Sequence, residues 1–350
     1  MTDAMLIKTA EDLFGSLCDP QALQGAEDTG WAAPMWATVA ETGLPWIGVP
    51  EEYGGQGGTI GDALAVLRVA GTHCVPLPLA ETRLAGRLLA GSGVAVPPGP
   101  LTVVPGRPED TLCLDDGRLY GTAHRVPWAR SAEWIVALLQ DEGAWNIVAV
   151  KPEAGRLTPM TDLAGEPRDM VSFEGATPEV AALSAATART LLFEGALTRA
   201  VLMAGALQRV CELTVAYTGE RVQFGRPIAR FQAVQQHVVT VMEETAAVGL
   251  AASAAARAAG RGDARFETAA AKLLANQAVH TAVRAAHQAH GAMGVTQEYP
   301  LHHATRRLRA WRCEYGDERV WSAFLGRAAQ DLGADGLYPL ITAGSSLLRA

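Results

Sequence analysis

From Ala181 to its end the chain carries only Pro227, Pro300 and Pro339, out of 19 prolines in 350 residues. Proline cannot sit inside a helix without removing a backbone donor and colliding with the preceding turn. So long a stretch, nearly free of proline and rich in Ala, Leu, Arg and Gln, is therefore constrained to be helical. The spacing predicts helices near Thr187–Gly219, Arg230–Gly260, Ala264–Gly291 and Glu318–Leu332, with short Gly- or Pro-bearing joints between them. Long helices with short joints pack antiparallel as a bundle.

The earlier part of the chain reads differently. Helical pieces are expected at Thr9–Leu17, Met35–Thr42 and Ile60–Ala70, and seven prolines between Pro76 and Pro108 mark a turn-rich passage. Beyond Leu101 come the short β-prone runs Leu112–Leu114, Trp134–Leu139 and Trp145–Val150. They are separated by Asp115-Asp116-Gly117, Asp141-Glu142-Gly143 and proline-bearing turns. The expected architecture is mainly α with a central β domain: helices over 1–100, an abbreviated β domain over 101–178 and a helical bundle over 179–345. No repeat with a period of about 20–50 residues interrupts this order.

Charge narrows the function. With 29 basic and 37 acidic side chains the net charge is −8, and no Lys/Arg run is present, so nucleic acid would be repelled. Charged residues make up 19% of the chain, below the ~25% typical of soluble domains, which implies much surface buried in a core or between subunits. Cys18, Cys74, Cys113, Cys211 and Cys313 are odd in number and include no Cys-x-x-Cys pair, a pattern of reduced thiols. The stretch Met1–Leu17 contains Asp3, Glu11 and Asp12 and lacks the basic and apolar regions of a secretion signal. The small-apolar run Ala246–Ala256 is too short to span a bilayer. The protein is expected to be soluble and cytoplasmic, without membrane insertion.

Several chemistries are set aside by their missing motifs. There is no Gly-x-x-x-x-Gly-Lys-Ser/Thr loop, no Gly-x-Ser-x-Gly elbow and no His-Glu-x-x-His pair. The cluster Gly54-Gly55-Gln56-Gly57-Gly58 does not complete Gly-x-Gly-x-x-Gly and reads as a turn. His280, His287 and His290 share one expected helix, with His302 and His303 beyond, but no Glu-x-x-His pair accompanies them; they read as packed or partner-facing, and no metal is expected. Arg221, Arg226 and Arg230 surround Phe224-Gly225 at a joint between two long helices. They suit either a solvated basic loop or an anion clamp, since a guanidinium fork pairs with phosphate through two bonds.

Three longer motifs decide between such alternatives. These are Glu41–Gly58 (ETGLPWIGVPEEYGGQGG), Glu220–Ala233 (ERVQFGRPIARFQA) and Gln288–Leu301 (QAHGAMGVTQEYPL). Together, in this order, they resemble the acyl-CoA dehydrogenase family over most of the chain. The resemblance implies an N-terminal helical domain, a small β-barrel-like middle domain and a C-terminal four-helix bundle. It also implies FAD-dependent α,β-desaturation of an acyl-CoA thioester. In that reaction a carboxylate removes the α proton while hydride leaves Cβ for the flavin, and an electron-transfer protein accepts the electrons. Arg221 and Phe224 match residues that reach FAD across a subunit contact. Gln288, Gly291 and Ala292 match the segment lining the same FAD, with Ala292 in place of the family's second glycine.

Two departures from the family pattern bear on mechanism. The catalytic glutamate is expected where Tyr315-Gly316-Asp317-Glu318-Arg319 stands, and Tyr315 occupies its position. A phenol, with a reference pKa near ~10, is a poor base at neutral pH. The family's other base position falls on Gly195, with Glu194 rotated away by about 100° of helix. The flavin-walling loop of the middle domain is also missing; Val126–Arg130 (VPWAR) and Asp162–Arg168 (DLAGEPR) stand there instead. The abbreviated middle resembles the smaller subunits of heteromeric actinobacterial acyl-CoA dehydrogenases, including those acting on steroid side chains, in which a larger partner supplies the base. Three readings follow: a subunit of a hetero-oligomer, with a tetramer expected; a self-associating enzyme using Glu194, Glu314, Asp317 or Glu318; or a non-catalytic scaffold that completes a partner's FAD site.

Overall fold

The computed structural model describes residues 4–141 and 143–348; Met1–Asp3, Glu142 of the expected turn, Arg349 and Ala350 lie outside them. Five helices come first: α1 (Ala4–Leu17), α2 (Pro20–Thr29), α3 (Ala33–Glu41), α4 (Ile60–Thr72) and α5 (Leu79–Gly91). Their ends follow local chemistry. Asp19 caps α2 by accepting from the Ala22 N–H with Pro20 opening the helix, and Thr59 and Asp62 form a reciprocal capping box on α4. The passage from Pro76 to Pro108, read as turns, instead contains α5. Pro78 and Pro97 bracket that helix rather than interrupt it, so the local proline count misleads there.

The β region has eight strands: β1 (Leu101–Val103), β2 (Cys113–Asp115), β3 (Arg118–Pro127), β4 (Trp134–Asp141), β5 (Ala144–Val150), β6 (Arg156–Thr158), β7 (Arg168–Ala176) and β8 (Glu179–Leu183). They form two four-stranded sheets, ordered β1-β4-β5-β8 and β2-β3-β7-β6. Among the described residues of these sheets, β1–β4 alone pairs parallel. Ile135, Ala137, Val148 and Val150 pack with Leu119, Val171 and Phe173 of the other sheet. Their alternates Val136, Ile147 and Ala149 pack with Leu84, Leu88 and Leu191 of the helices. Because both faces of β4 and β5 are covered, these strands read as continuous apolar runs.

The remainder is helical: α6 (Ala185–Glu220), a hairpin of β9 (Val222–Gln223) and β10 (Arg226–Pro227), then α7 (Gln232–Ala259), α8 (Arg265–His290), α9 (Leu301–Trp311) and α10 (Glu318–Ala343). Gly333, with φ 69°, divides α10, and its first half ends where the spacing predicts. The early helices and the bundle share one core. A Cβ on Gly205 of α6 would fall 2.0 Å from the Arg68 carbonyl oxygen, and one on Gly71 of α4 2.2 Å from that of Leu202. Glycine at both points lets α4 and α6 cross in backbone contact.

Helix length changes the membrane argument made from Ala246–Ala256. Thr187–Glu220 and Gln232–Ala259 are each long and apolar enough to cross a bilayer. The apolar window of the first is 78% buried within this protein, as a core helix is, whereas that of the second is only 33% buried. Val239, Met242 and Leu250 stand exposed on that second helix, α7.

Candidate functional site

The six residues between α9 and α10 place Tyr315 at the centre of the site. This loop is held from below by α8: Lys272 Nζ donates to Asn276 Oδ1 at 2.6 Å and to the carbonyls of Arg312 and Gly316 at 2.9 and 3.2 Å. Trp321 Nε1 on α10 donates to the Tyr315 carbonyl at 3.2 Å. Burial pulls the Lys272 ammonium down to about 7, although Glu314 acts against that shift. So anchored, the loop holds Tyr315 at φ 52°, with its side chain turned inward and only 5% of its surface exposed.

The ring lies directly on α6 at Gly195. A Cβ built at Gly195 would meet Tyr315 Cδ1 at 2.1 Å and Cε1 at 2.3 Å. One aromatic ring thus fills the space between positions 315 and 195, and Gly195 is small because the ring is there. The Tyr315 hydroxyl is buried without a hydrogen-bond partner among the described residues, and burial raises its pKa well above the usual value. Such a phenol neither accepts a proton as phenolate nor reaches water. The packing makes a checkable prediction. Gly195→Ala should destabilise the fold by about 1–3 kcal/mol through overpacking. Tyr315→Ala in the same chain should relieve that strain, so the double variant loses less than the two single losses summed; additive losses in a double-mutant cycle would contradict the contact.

The carboxylates offered by the sequence as bases are all engaged. Glu194 turns away from Tyr315 and takes two bonds from Arg87, at 3.0 and 3.1 Å. Glu318 accepts from Arg312 Nε at 2.5 Å, and Asp317 caps α10 by accepting from the N–H groups of Arg319 and Val320. Glu314 is clamped between Arg168 Nε at 2.7 Å and Arg199 Nε at 2.5 Å. Burial pushes its carboxyl up, but the two guanidinium groups outweigh burial and hold it at about 2.

Glu314 belongs to a buried charge network that sequence reasoning missed. Arg199 also pairs with Glu81 of α5; Arg168 reaches Glu166 at 3.1 Å and Asp162 at 3.3 Å. Arg307 of α9 then joins Glu166 at 3.0 Å to Glu27 of α2 at 2.9 Å. Burial raises the Glu27 carboxyl, but His303 and Arg307 more than offset it, leaving it at about 2. A visible signal was the lone Arg199 inside the apolar run Ala196–Ala206, where a charge must be paired to be buried. Glu27 and Glu314 have folded-state pKa values near 2 against a reference of 4.5, so their stabilisation is complete above about pH 4.5 and is lost as pH falls towards 2. Unfolding free energy should therefore fall steeply across that window, and less steeply in Glu314→Gln. An identical slope in the variant would count against the assignment.

The second set of expected site residues lies at the bundle's other end. Arg221 ends α6, its N–H bonded to the Tyr217 carbonyl at 2.9 Å, and its side chain is exposed. Phe224, at the tip of the β9–β10 hairpin with φ 50°, is 92% exposed. Arg226 lies 4.2 Å over the Phe231 ring behind it. Gln288, Gly291 and Ala292, at the end of α8, are exposed too, and a Cβ on Gly291 would meet open space. The His290 ring stacks on Tyr217 at 4.6 Å, which sets the ends of α6 and α8 side by side. Guanidinium, phenyl ring and accessible backbone thus share one open surface, fit for an anionic, aromatic-bearing group lying across it. His287, His290, His302 and His303 bond to Thr305, the Ala286 carbonyl, the Tyr299 carbonyl and Glu27, while His280 is exposed. No cluster suited to a metal ion occurs among the described residues.

Comparison with known proteins places this arrangement. Residues 2–93 match the family description "Acyl-CoA dehydrogenase, N-terminal domain" and residues 185–330 match "Acyl-CoA dehydrogenase, C-terminal domain", more than half of the chain between them. Acyl-CoA dehydrogenase IpdE2 of Mycobacterium tuberculosis (strain ATCC 25618 / H37Rv) is 29% identical over 304 residues, covering 85% of this chain and 88% of the relative. Among solved structures, the ChsE4-ChsE5 complex from Mycobacterium tuberculosis superposes with a TM-score of 0.86 at 20% identity, over 95% of this chain and 99% of the other. The Tcur3481-Tcur3483 steroid ACAD G363A variant gives 0.85 at 24% identity, over 95% and 98%. The helical, β, helical order with its closing bundle is the fold of these proteins, and the chain belongs to the acyl-CoA dehydrogenase family of oxidoreductases acting on acyl-CoA.

Proposed function

We propose that this chain is the smaller, baseless subunit of a hetero-oligomeric acyl-CoA dehydrogenase, which completes an FAD site while a larger homologous subunit supplies the catalytic carboxylate. The observation that carries this reading is the Tyr315 ring seated on Gly195, where either family position would need a free carboxylate and open space. The engagement of Glu194, Glu314, Asp317 and Glu318 in ion pairs or a helix cap supports it further. Likeness to a solved two-component complex agrees with a heteromeric assembly, proposed here as a tetramer, for which the exposed apolar residues of α7 supply a contact face.

When bound, FAD supplies the hydride acceptor for desaturation at Cα and Cβ. This chain's part is binding. The exposed Arg221 guanidinium would neutralise pyrophosphate through charge-assisted bonds, and the protruding Phe224 would cover the adenine side of a flavin shared with a partner subunit. Gln288 and Ala292 would line the same group, with open space above Gly291 for close approach. Tyr315 closes this chain's own acyl site. Arg221→Ala should weaken FAD retention in the purified assembly roughly tenfold to hundredfold, as loss of a charge-assisted bond of about 1.5–3 kcal/mol implies. Equilibrium dialysis with flavin absorbance measures this, and unchanged affinity would remove Arg221 from the site. Flavin bound with full occupancy by this chain alone would instead favour a self-associating enzyme. An assembly carrying no flavin at all would favour the scaffold role.

A further inference from the structure

A cavity of about 970 Å³ lies on a different part of the fold, between α1, α4, α6 and α7, and contains none of the candidate base or flavin-surface residues. Its floor is apolar, formed by Leu64, Val201 and Ala252, all buried. The cavity exists because α4 and α7 face each other with small side chains there, such as Ala65 and Ala256, and do not close.

Its walls carry charge of opposite sign at opposite ends. Arg68, midway along α4, donates to Ser253 Oγ of α7 at 3.1 Å, a bond that sets the two helices side by side. From that bond towards the start of α4, marked by its cap Thr59, the wall gains Arg257 and Arg261 at the end of α7. Among the described residues none of these three arginines pairs with a carboxylate. The positive end of the α4 helix dipole points the same way. At the other end of α4 stand Glu11 and Glu212, near His73, the residue that ends the helix; burial and then Arg209 lower the His73 pKa, and the two carboxylates act against that fall.

Three guanidinium groups lacking anionic partners above an apolar floor complement one chemistry. We infer that this cavity binds an amphiphile with one anionic headgroup, an apolar body of roughly ten carbons or a compact ring system with a single carboxylate or phosphate held by Arg257 and Arg261. At the far end Glu212 is paired with Arg209 at 3.9 Å and Glu11 adds negative charge, so the described lining offers a second anionic group no unpaired cation there, which separates a single anionic headgroup from a dicarboxylate. The site stands apart from the proposed flavin surface, so its ligand is bound whether or not FAD is present.

Titration calorimetry on the full chain, with decanoate, decan-1-ol, decanedioate and decyl phosphate as probes, tests this. Decanoate and decyl phosphate should both bind, and decanol and decanedioate should bind at least about tenfold more weakly, the loss expected for a missing charge-assisted bond or an added repulsion. Ala65→Trp, which fills the slot, should abolish decanoate binding. The double variant Arg257→Ala/Arg261→Ala, altered only at exposed positions, should weaken it at least about tenfold and keeps the test decisive if the tryptophan disturbs folding. No decanoate binding up to its solubility limit, equal binding of decanol, or unchanged affinity in the arginine double variant would overturn the inference. Binding of decanoate but not decyl phosphate would restrict the anion to a carboxylate and uphold it. None of these readouts involves flavin or turnover, so failure here leaves the proposed function untouched, and the reverse holds as well.

Discussion

Arg199→Met should destabilise the protein by about 3–5 kcal/mol, the range for removing one member of a buried ion pair. Arg199 is 2% exposed, and it is the side chain seen to pair with Glu81, itself 2% exposed; it also shares Glu314 with Arg168. Removing it leaves Glu81 charged in a medium that solvates charge poorly, and Glu314 half-compensated. Arg199→Lys should recover only part of the loss, because an ammonium lacks the fork that reaches both carboxylates at once. Arg199→Met combined with Glu81→Leu should recover more, since replacing both partners by apolar groups removes the stranded charge. Thermal and urea unfolding of the four proteins measure these differences. A loss under about 1 kcal/mol in Arg199→Met would show that the network contributes little.

That network marks the limit of what the sequence reveals. The bundle was legible because helices α6, α7 and α8 lie in a segment almost free of proline, and their ends fall within a few residues of the expected ones. Strands β4 and β5 were legible as apolar runs for the physical reason that both their faces are buried. The helix α5 was hidden by its flanking prolines, although its interior contains none. The charge network was hidden by distance along the chain: Glu81 and Arg199 are 118 residues apart, and Arg199 and Glu314 are 115 apart. No local spacing rule links residues so separated, so only the folded chain brings them together.

The site divides in the same way. Tyr315 in place of a glutamate was legible from the resemblance, and so was Gly195 at the alternative position. Their contact was not, because it depends on the left-handed backbone of Tyr315 and on the Lys272 clamp beneath the loop. Two separate departures from the family pattern prove to be one packing arrangement, a ring and the glycine that admits it. The open surface with Arg221 and Phe224 lies beside the end of α8 through the Tyr217–His290 stack; the resemblance assigns both motifs to one cofactor, but does not give the contact that sets the two helix ends side by side.

Turnover by the isolated chain tests the central claim most directly. A proton α to a thioester is weakly acidic, so desaturation needs a carboxylate against Cα as hydride departs. Purified alone and supplied with FAD, acyl-CoA substrates and an artificial electron acceptor, this chain should show no turnover above background. Mixed with a longer homologous subunit that carries the glutamate, it should restore activity, and substitution of that partner's glutamate should abolish it. Turnover by the chain alone, lost in Glu194→Gln or Glu318→Gln but kept in Tyr315→Phe, would contradict the account and identify the base within this chain.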